Sequence, residues 1–172
     1  MMDSAELDSI LKCVLQRLEK EFLPLKGDET WDVRARRLFY RVVIDVFREK
    51  YLMSEEEAKE YIYVEGLNPF PGEKSGKVFN CRLYPDAILK FDDAKIAIEL
   101  DRGKTGSKMK NALLKAGIHK LAGNFQKIIL IFFAYGKLSK YQLSKKDQKI
   151  LAFYRDKLKT YLYLLRLPNR FS

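Results

Sequence analysis

Two neighbouring segments decide the fold: Tyr84-Pro85-Asp86-Ala87-Ile88-Leu89-Lys90-Phe91 and Ala94-Lys95-Ile96-Ala97-Ile98-Glu99-Leu100-Asp101. The first is largely apolar, and the second places an aliphatic side chain at every other position. Both patterns are typical of β-strands that are buried on at least one face. The intervening Asp92-Asp93 is typical of a tight turn. The sequence therefore predicts an antiparallel β-hairpin.

The hairpin brings carboxylates together at one end. If Asp92-Asp93 forms the turn, Asp86 lies directly opposite Glu99, with Cβ atoms about 4.5–5.5 Å apart. Asp101 lies two residues beyond Glu99 and points to the same face. Facing like charges are destabilising, and buried carboxylates without partners cost more. Because a cation would neutralise such a cluster, and because oxygen ligands favour Mg²⁺ or Mn²⁺, we expect a metal site here.

Two other interpretations of these carboxylates stay open. The end of the hairpin could be solvated, with the charges spread apart in water. A slip of one residue in the pairing would also place Asp86 and Glu99 on opposite faces of the hairpin, which would remove the site.

Helix and strand patterns alternate on either side of the hairpin. The predicted elements are helices over residues 5–23, 31–51, 105–122 and 144–166, a short helix capped by Ser54, strands over 61–64 and 127–134, and a loop over 67–77. This order predicts an α/β fold with a mixed central sheet flanked by helices. The expected organisation is one domain over residues 1–172, with an added N-terminal helix (1–27), a core (28–135) and a C-terminal helix (144–166).

Composition excludes several classes of protein. The chain has 172 residues, of which 47% are hydrophobic, so a single well-packed domain is expected. Cys13 and Cys81 are the only cysteines and His119 is the only histidine, which excludes a disulfide scaffold and a zinc site built from thiolates or several histidines. Residues 1–6 do not have the pattern of a signal peptide, and no apolar run is long enough to span a bilayer. We therefore expect a cytoplasmic protein.

Positive charge is concentrated in the C-terminal part of the chain. Residues 102–172 contain 17 Lys or Arg but only two acidic residues, whereas the whole chain has a net charge of +10. Residues 102–146 contain no Asp or Glu at all. A soluble basic surface is one explanation. A surface that binds phosphates is the explanation we favour, because neutralised phosphates release counterions and increase affinity.

The carboxylate motif resembles the PD-(D/E)XK nuclease superfamily. The resemblance rests on Pro85-Asp86, twelve intervening residues, and Glu99-Leu100-Asp101, followed by a helix and a buried strand, and it covers about residues 28–135. It implies a restriction-endonuclease-like core of a helix, three antiparallel strands, a helix and a fourth strand. By the same resemblance, Asp86, Glu99 and the Leu100 carbonyl would bind the metal. The run Glu99-Leu100-Asp101-Arg102-Gly103 is similar to one in plasmid replication-relaxation proteins of that superfamily, which suggests a plasmid or viral source.

This chain departs from the superfamily at the third motif position, where Asp101 replaces the usual Lys. Another cation must then stabilise the phosphate, or Asp101 must bind a second metal ion. Lys108, Asn111, Lys115 and His119 form one polar stripe on the next predicted helix. Lys115 is the predicted catalytic cation, because Lys115-xxx-His119 resembles a Lys-xxx-Tyr pattern after the same run. Contacts with the DNA backbone or with solvent are the alternative role of this stripe.

The sequence therefore predicts a Mg²⁺-dependent (or Mn²⁺-dependent) deoxyribonuclease, a hydrolase that cuts phosphodiester bonds endonucleolytically. Its partner would be DNA, and a homodimer would supply two sites for the two strands of a duplex. No motif for a nucleotide cofactor is present. The alternative is a nucleic-acid-binding protein on the same fold that has lost catalysis. The predicted catalytic residues are Asp86, Glu99, Asp101 and Lys115, the predicted metal ligands are Asp86, Glu99, Asp101 and Leu100, and the predicted nucleic-acid-binding residues are Arg102, Lys104, Lys108, Lys110, His119 and Lys120.

Overall fold

A five-stranded mixed sheet forms the centre of the protein in a computed structural model, which describes residues 4–22, 30–68, 75–91 and 94–167. Helices cover the sheet, and a separate two-stranded hairpin lies outside it. In chain order the elements are α1 (Ser4–Glu21), α2 (Trp31–Tyr51), α3 (Glu55–Lys59), β1 (Ile62–Val64), β2 (Ser75–Val78), β3 (Cys81–Leu83), β4 (Ala87–Phe91), β5 (Ala94–Gly103), α4 (Gly106–Ala122), β6 (Lys127–Ala134), a 3₁₀ helix (Gly136–Lys140), α5 (Lys145–Leu158) and β7 (Thr160–Arg166).

The order of strands in the sheet is β1-β4-β5-β6-β7. Strand β4 is antiparallel to both β1 and β5, whereas β5, β6 and β7 run parallel to one another. Strand β6 lies between two parallel partners with both faces covered, which explains why seven of its eight residues are buried and why its sequence is almost entirely apolar. The expected α/β fold with a mixed sheet flanked by helices is confirmed.

Successive side chains of β5 point to opposite faces of the sheet, and each face has its own hydrophobic cluster. Ile96, Ile98 and Leu100 pack with α1 and α2 in one hydrophobic cluster. Ala97 packs with α4 in the other. Glu99, which follows the same alternation as Ala97, therefore faces α4. This alternation decides which helix can reach the carboxylates.

Most helices and strands of the structure lie where the sequence predicts them. The helix over residues 31–51 and the strand over 127–134 have the predicted bounds. Ser54 caps α3 in a reciprocal capping box with Glu57. Part of the predicted loop over 67–77 is instead strand β2, and residues 69–74 lie outside the described residues. The predicted turn Asp92-Asp93, and residues 1–3 and 23–27 of the predicted N-terminal segment, also lie outside them.

The predicted helix over residues 144–166 is wrong in its second half. Helix α5 ends at Leu158, and Lys159 adopts a left-handed conformation with φ of 46°. The chain then enters β7, which pairs with β6 along its whole length. Aromatic and aliphatic residues dominate β7, a composition that favours strand over helix. Ile150 of α5 is 51% exposed, and α5 contains no fully buried residue.

Among the helices that the structure describes, none combines the length and the apolar composition that crossing a bilayer would require.

Candidate active site

The pairing of β4 with β5 sets the geometry of the site. Ala87 pairs with Ile98 and Phe91 with Ala94, which is the predicted register. Continuing this pairing by one residue brings Asp86 opposite Glu99. Oδ2 of Asp86 accepts a hydrogen bond of 2.8 Å from the backbone N–H of Leu100, which ties the two strands together at this point. The slipped register, which would have separated the carboxylates, is not the one adopted.

Glu99 is a buried carboxylate held by two side chains of α4. The residue is only 2% exposed. Nζ of Lys115 lies 2.6 Å from Oε2 of Glu99, and Nε2 of His119 lies 2.7 Å from Oε1. The contact with His119 is close, but it does not have the geometry of a hydrogen bond. The predicted polar stripe of α4 thus runs from exposed Lys108 and Asn111 down to the sheet.

A glycine allows α4 to approach the end of β5. A Cβ atom built on Gly103 would lie 2.6 Å from Cβ of Lys108 and 3.1 Å from the ring of Phe132. Any larger side chain would force the start of α4 away from the sheet. Gly103 therefore contributes to the position of Lys115, two turns farther along the helix, over Glu99.

Arg36 is a site residue that the sequence does not predict. Its Nε lies 4.0 Å from Oδ1 of Asp86, and its guanidinium also pairs with Glu65. Arg36 belongs to α2, which lies against the sheet. The approach to Asp86 depends on how α2 crosses the sheet, and no local sequence signal predicts it.

The carboxyl group of Asp86 has an unusual affinity for its proton. Burial, followed by the charge of Glu99, raises the pKa of Asp86 from 3.8 to about 6. The hydrogen bond from Leu100 and the charges of Lys115 and Arg36 act in the opposite direction, but they do not cancel the effect. The pKa shift therefore reflects first the loss of water around the carboxyl group and then the nearby charge of Glu99.

Asp101 and Lys115 complete the charged cluster. Burial raises the pKa of Asp101, even though its Oδ1 accepts a 2.7 Å hydrogen bond from the N–H of Arg102. Burial alone would lower the pKa of Lys115. The charge of Glu99 and its hydrogen bond, followed by Asp86 and Asp101, raise that pKa above its usual value. Lys115 is therefore a firmly protonated cation.

The donor atoms fit a magnesium-type site of two carboxylates. The described residues contain no group of three or more His, Cys, Asp or Glu placed to hold one metal ion, so the predicted three-carboxylate set is not assembled as one cluster. Mg²⁺, however, usually keeps several waters and needs only one or two carboxylates. Oε1 of Glu99 is buried against His119 without a hydrogen bond, Oε2 contacts the half-exposed Lys115, and Asp86 is the neighbour of Glu99 across the strands. Asp86 and Glu99 are thus suitable ligands.

The other two predicted metal ligands are Leu100 and Asp101. The side chain of Leu100 is buried in the core with α1 and α2, and its N–H is taken by Asp86. Asp101 lies two residues beyond Glu99, about 6.6 Å along an extended strand. Metal binding by the Leu100 carbonyl, and by Asp101 at a second ion, stay predictions.

The predicted nucleic-acid-binding residues divide into two groups. Arg102, Lys104, Lys108 and Lys110 are exposed around the end of β5 and the start of α4. The guanidinium of Arg102 stacks on Trp31, 5.1 Å from the ring centroid, which holds it on the α2 side of the sheet. These four side chains are accessible to a phosphate backbone.

Burial excludes one predicted nucleic-acid contact, whereas a second stays a prediction. His119 is completely buried, so assigning it to a nucleic-acid surface is wrong, because no ligand outside the fold can reach it in this arrangement. It contacts Glu99 instead. Lys120 is half-buried, and its ammonium donates to the carbonyl of Phe125 at the end of α4. Binding of nucleic acid by Lys120 would compete with that contact.

An apolar groove of about 460 Å³ lies elsewhere, between α4, the 3₁₀ helix and α5. Asp86, Glu99, Asp101 and Lys115 are not among its lining residues, so it is distinct from the candidate site. Its apolar lining residues are Met109, Leu113, Leu138, Leu143, Ile150 and Leu151.

No family model and no curated protein matches this chain.

Proposed function

We propose that this protein is a metal-dependent DNA endonuclease of the PD-(D/E)XK type, which hydrolyses phosphodiester bonds. One observation carries the proposal: Asp86 and Glu99 face each other at the end of a hairpin, with the ammonium of Lys115 2.6 Å from Glu99. Two carboxylates and a cation at one point of a sheet are the groups that phosphodiester hydrolysis needs.

The order of elements supports a restriction-endonuclease-like core. Helix α2 is followed in the sheet by β1, β4 and β5, of which β4 is antiparallel to both neighbours, and then by α4 and β6. This sequence of a helix, three antiparallel strands, a helix and a fourth strand is the one implied by the resemblance. The hairpin β2–β3 and the strand β7 are additions to it.

Each charged residue has a role in the proposed reaction. Asp86 and Glu99, with the Leu100 carbonyl, would hold Mg²⁺ or Mn²⁺, and Asp101 would serve a second ion. When bound, the divalent ion polarises the scissile phosphate and lowers the pKa of a bound water. Lys115 would place its positive charge against the phosphate oxygens, which is the task of the motif lysine that this chain lacks.

The basic end of the sheet would hold the DNA. Arg102, Lys104, Lys108 and Lys110 are exposed around the end of β5 and the start of α4, and residues 102–146 contain no acidic side chain to oppose them. Their contacts with phosphates would make binding strongly dependent on salt. A homodimer would provide one site for each strand of a duplex.

A cleavage assay tests the proposal. Purified protein is incubated with supercoiled plasmid and with a branched synthetic DNA in Mg²⁺, Mn²⁺ or EDTA. We expect cleavage with either metal and none in EDTA. Asp86→Asn and Glu99→Gln remove one charge each without changing side-chain size, and both should abolish cleavage. Asp156→Asn is the matched control, because Asp156 is an exposed carboxylate on α5 that pairs with Arg155.

A catalytically inactive nucleic-acid-binding protein is the second candidate. Two observations favour it: Asp101 stands where the superfamily has Lys, and Lys115 and His119 occupy both oxygens of Glu99. Salt-sensitive DNA binding without cleavage of any substrate in either metal would support this candidate over the nuclease.

A further inference from the structure

Lys115 and His119 each contact one oxygen of Glu99, but they differ in how easily they can move away from it. His119 is completely buried, whereas the side chain of Lys115 is 44% exposed. Moving His119 away from Glu99 would require α4 to separate from the sheet. Lys115 can leave by rotation of its flexible four-carbon stem, because its ammonium approaches Glu99 from the solvent side.

The carboxylate of Glu99 needs a positive partner at all times. It is 2% exposed, and Asp86, a half-buried carboxylate, faces it across the strands. An unpaired buried charge is costly, so an ion pair of this kind is disrupted only when another cation takes over. Among the described residues, Lys115 is the ammonium or guanidinium in contact with Glu99. Arg36, the other nearby cation, lies next to Asp86.

We infer that Lys115 is an internal counter-ion of Glu99, which occupies the place of a divalent cation and is displaced when that cation binds. This inference rests on the proposed metal site and deepens it. Binding of the ion and release of the Lys115 ammonium are one exchange at Oε2 of Glu99, while His119 keeps its position at Oε1. The released ammonium then becomes available to a phosphate of the substrate. In the absence of metal the site is held closed by its own lysine.

Lysine labelling of the wild-type protein tests the exchange directly. The protein is treated with trace acetic anhydride, with and without saturating Mg²⁺, and the labelling of each lysine is measured by mass spectrometry. We expect labelling of Lys115 to increase about tenfold with Mg²⁺, as its contact with Glu99 is lost. Lys149, an exposed lysine of α5, is the internal reference and should not change. In Glu99→Gln, Lys115 should be labelled rapidly with or without Mg²⁺.

Metal binding by variants provides an independent readout. The affinity for Mn²⁺ is measured by calorimetry for wild type, Lys115→Met and the matched control Lys149→Met, after circular dichroism has established that each is folded. Removal of the competing ammonium should tighten Mn²⁺ binding about tenfold or more in Lys115→Met. Lys149→Met removes the same charge at a distant position and should leave the affinity unchanged.

The outcomes separate this inference from the proposed function. If Mn²⁺ binds equally to all three proteins and Mg²⁺ leaves the labelling of Lys115 unchanged, the exchange is wrong while the metal site stands. If neither wild type nor Lys115→Met binds Mn²⁺, the proposed metal site itself is wrong, and the exchange with it.

Discussion

His119 and Glu99 lie against each other at the base of the site, with 2.7 Å between Nε2 and Oε1, and both are almost completely shielded from water. His119 is the only histidine of the chain. Neither of its ring nitrogens has a hydrogen-bond partner among the described residues. Burying a polar side chain without hydrogen-bond partners costs free energy, so we infer that the contact with Glu99 is what favours a histidine at position 119.

Replacement of His119 should therefore destabilise the protein through Glu99. In His119→Leu, Oε1 of Glu99 would face an apolar side chain, and we expect a loss of about 2–3 kcal/mol in the free energy of unfolding. His119→Gln keeps a polar group there and should lose less. Urea unfolding in EDTA measures both. The double variant His119→Leu/Glu99→Gln should lose less than the sum of its two single variants. Strict additivity would contradict the contact.

Asp86 should make stability depend on pH in the direction opposite to most carboxylates. Its pKa is raised from 3.8 to about 6, so the folded state binds the proton more tightly than the unfolded state does. The stabilisation is complete below about pH 4 and is lost as the pH rises through about 6. Above that range the charged form costs about 3 kcal/mol. Asp86→Asn removes this cost, so its advantage over wild type should grow between pH 4 and pH 7.5.

Urea unfolding across that pH range in EDTA checks the prediction. Asp156→Asn is the control, because its carboxylate is exposed and its pKa is lowered by Arg155, so no gain in stability is expected at high pH. If Asp86→Asn changes the free energy of unfolding equally at pH 4 and pH 7.5, the charged form of Asp86 carries no cost in the folded state.

Gly103 should be essential for the packing of α4. In Gly103→Ala the added methyl group would meet Cβ of Lys108 at 2.6 Å, and we expect a loss of about 1–3 kcal/mol in the free energy of unfolding. Gly106→Ala is the matched control, because a Cβ there meets no atom within 4 Å. It should be neutral or slightly stabilising. Thermal melts of the two variants compare them, and equal melting temperatures would contradict the close approach.

The end of α5 can be tested with a pair of glycine substitutions. Lys159 has a φ of 46°, a conformation that glycine adopts without strain, so Lys159→Gly should stabilise the protein by about 0.5–1 kcal/mol. Lys157→Gly lies within the helix and should destabilise it by about 1 kcal/mol. Urea unfolding measures the two effects. If the helix continued through residue 166, both substitutions would be destabilising.

The hairpin could be predicted because local signals agreed. The strands β4 and β5 have a regular apolar pattern, and the two residues between Phe91 and Ala94 leave little choice of register. That register in turn placed Asp86 opposite Glu99. Helical spacing and the resemblance to the nuclease superfamily placed Lys115 on the polar stripe of α4, and the structure brings this side chain into contact with Glu99.

The errors came from features that only the assembled fold determines. Leu158 and Leu162 are spaced four residues apart, which resembles a helix, and no Gly or Pro marks the break at Lys159. Residues 160–166 form a strand because β6 offers them a parallel partner. Likewise, the polar stripe of α4 gave no sign that His119 would be buried, since burial depends on how closely the helix approaches the sheet.

We propose that Asp86 and Glu99 form the catalytic centre of a DNA nuclease, and DNA binding and DNA cleavage measured side by side for wild type and Asp86→Asn test this proposal. We expect wild type to cleave in Mg²⁺ or Mn²⁺. Asp86→Asn should bind the same DNA with an affinity within about twofold, because the basic surface is intact, and should not cleave it. DNA binding by both proteins without metal-dependent cleavage by wild type would show that the proposed catalytic centre is wrong.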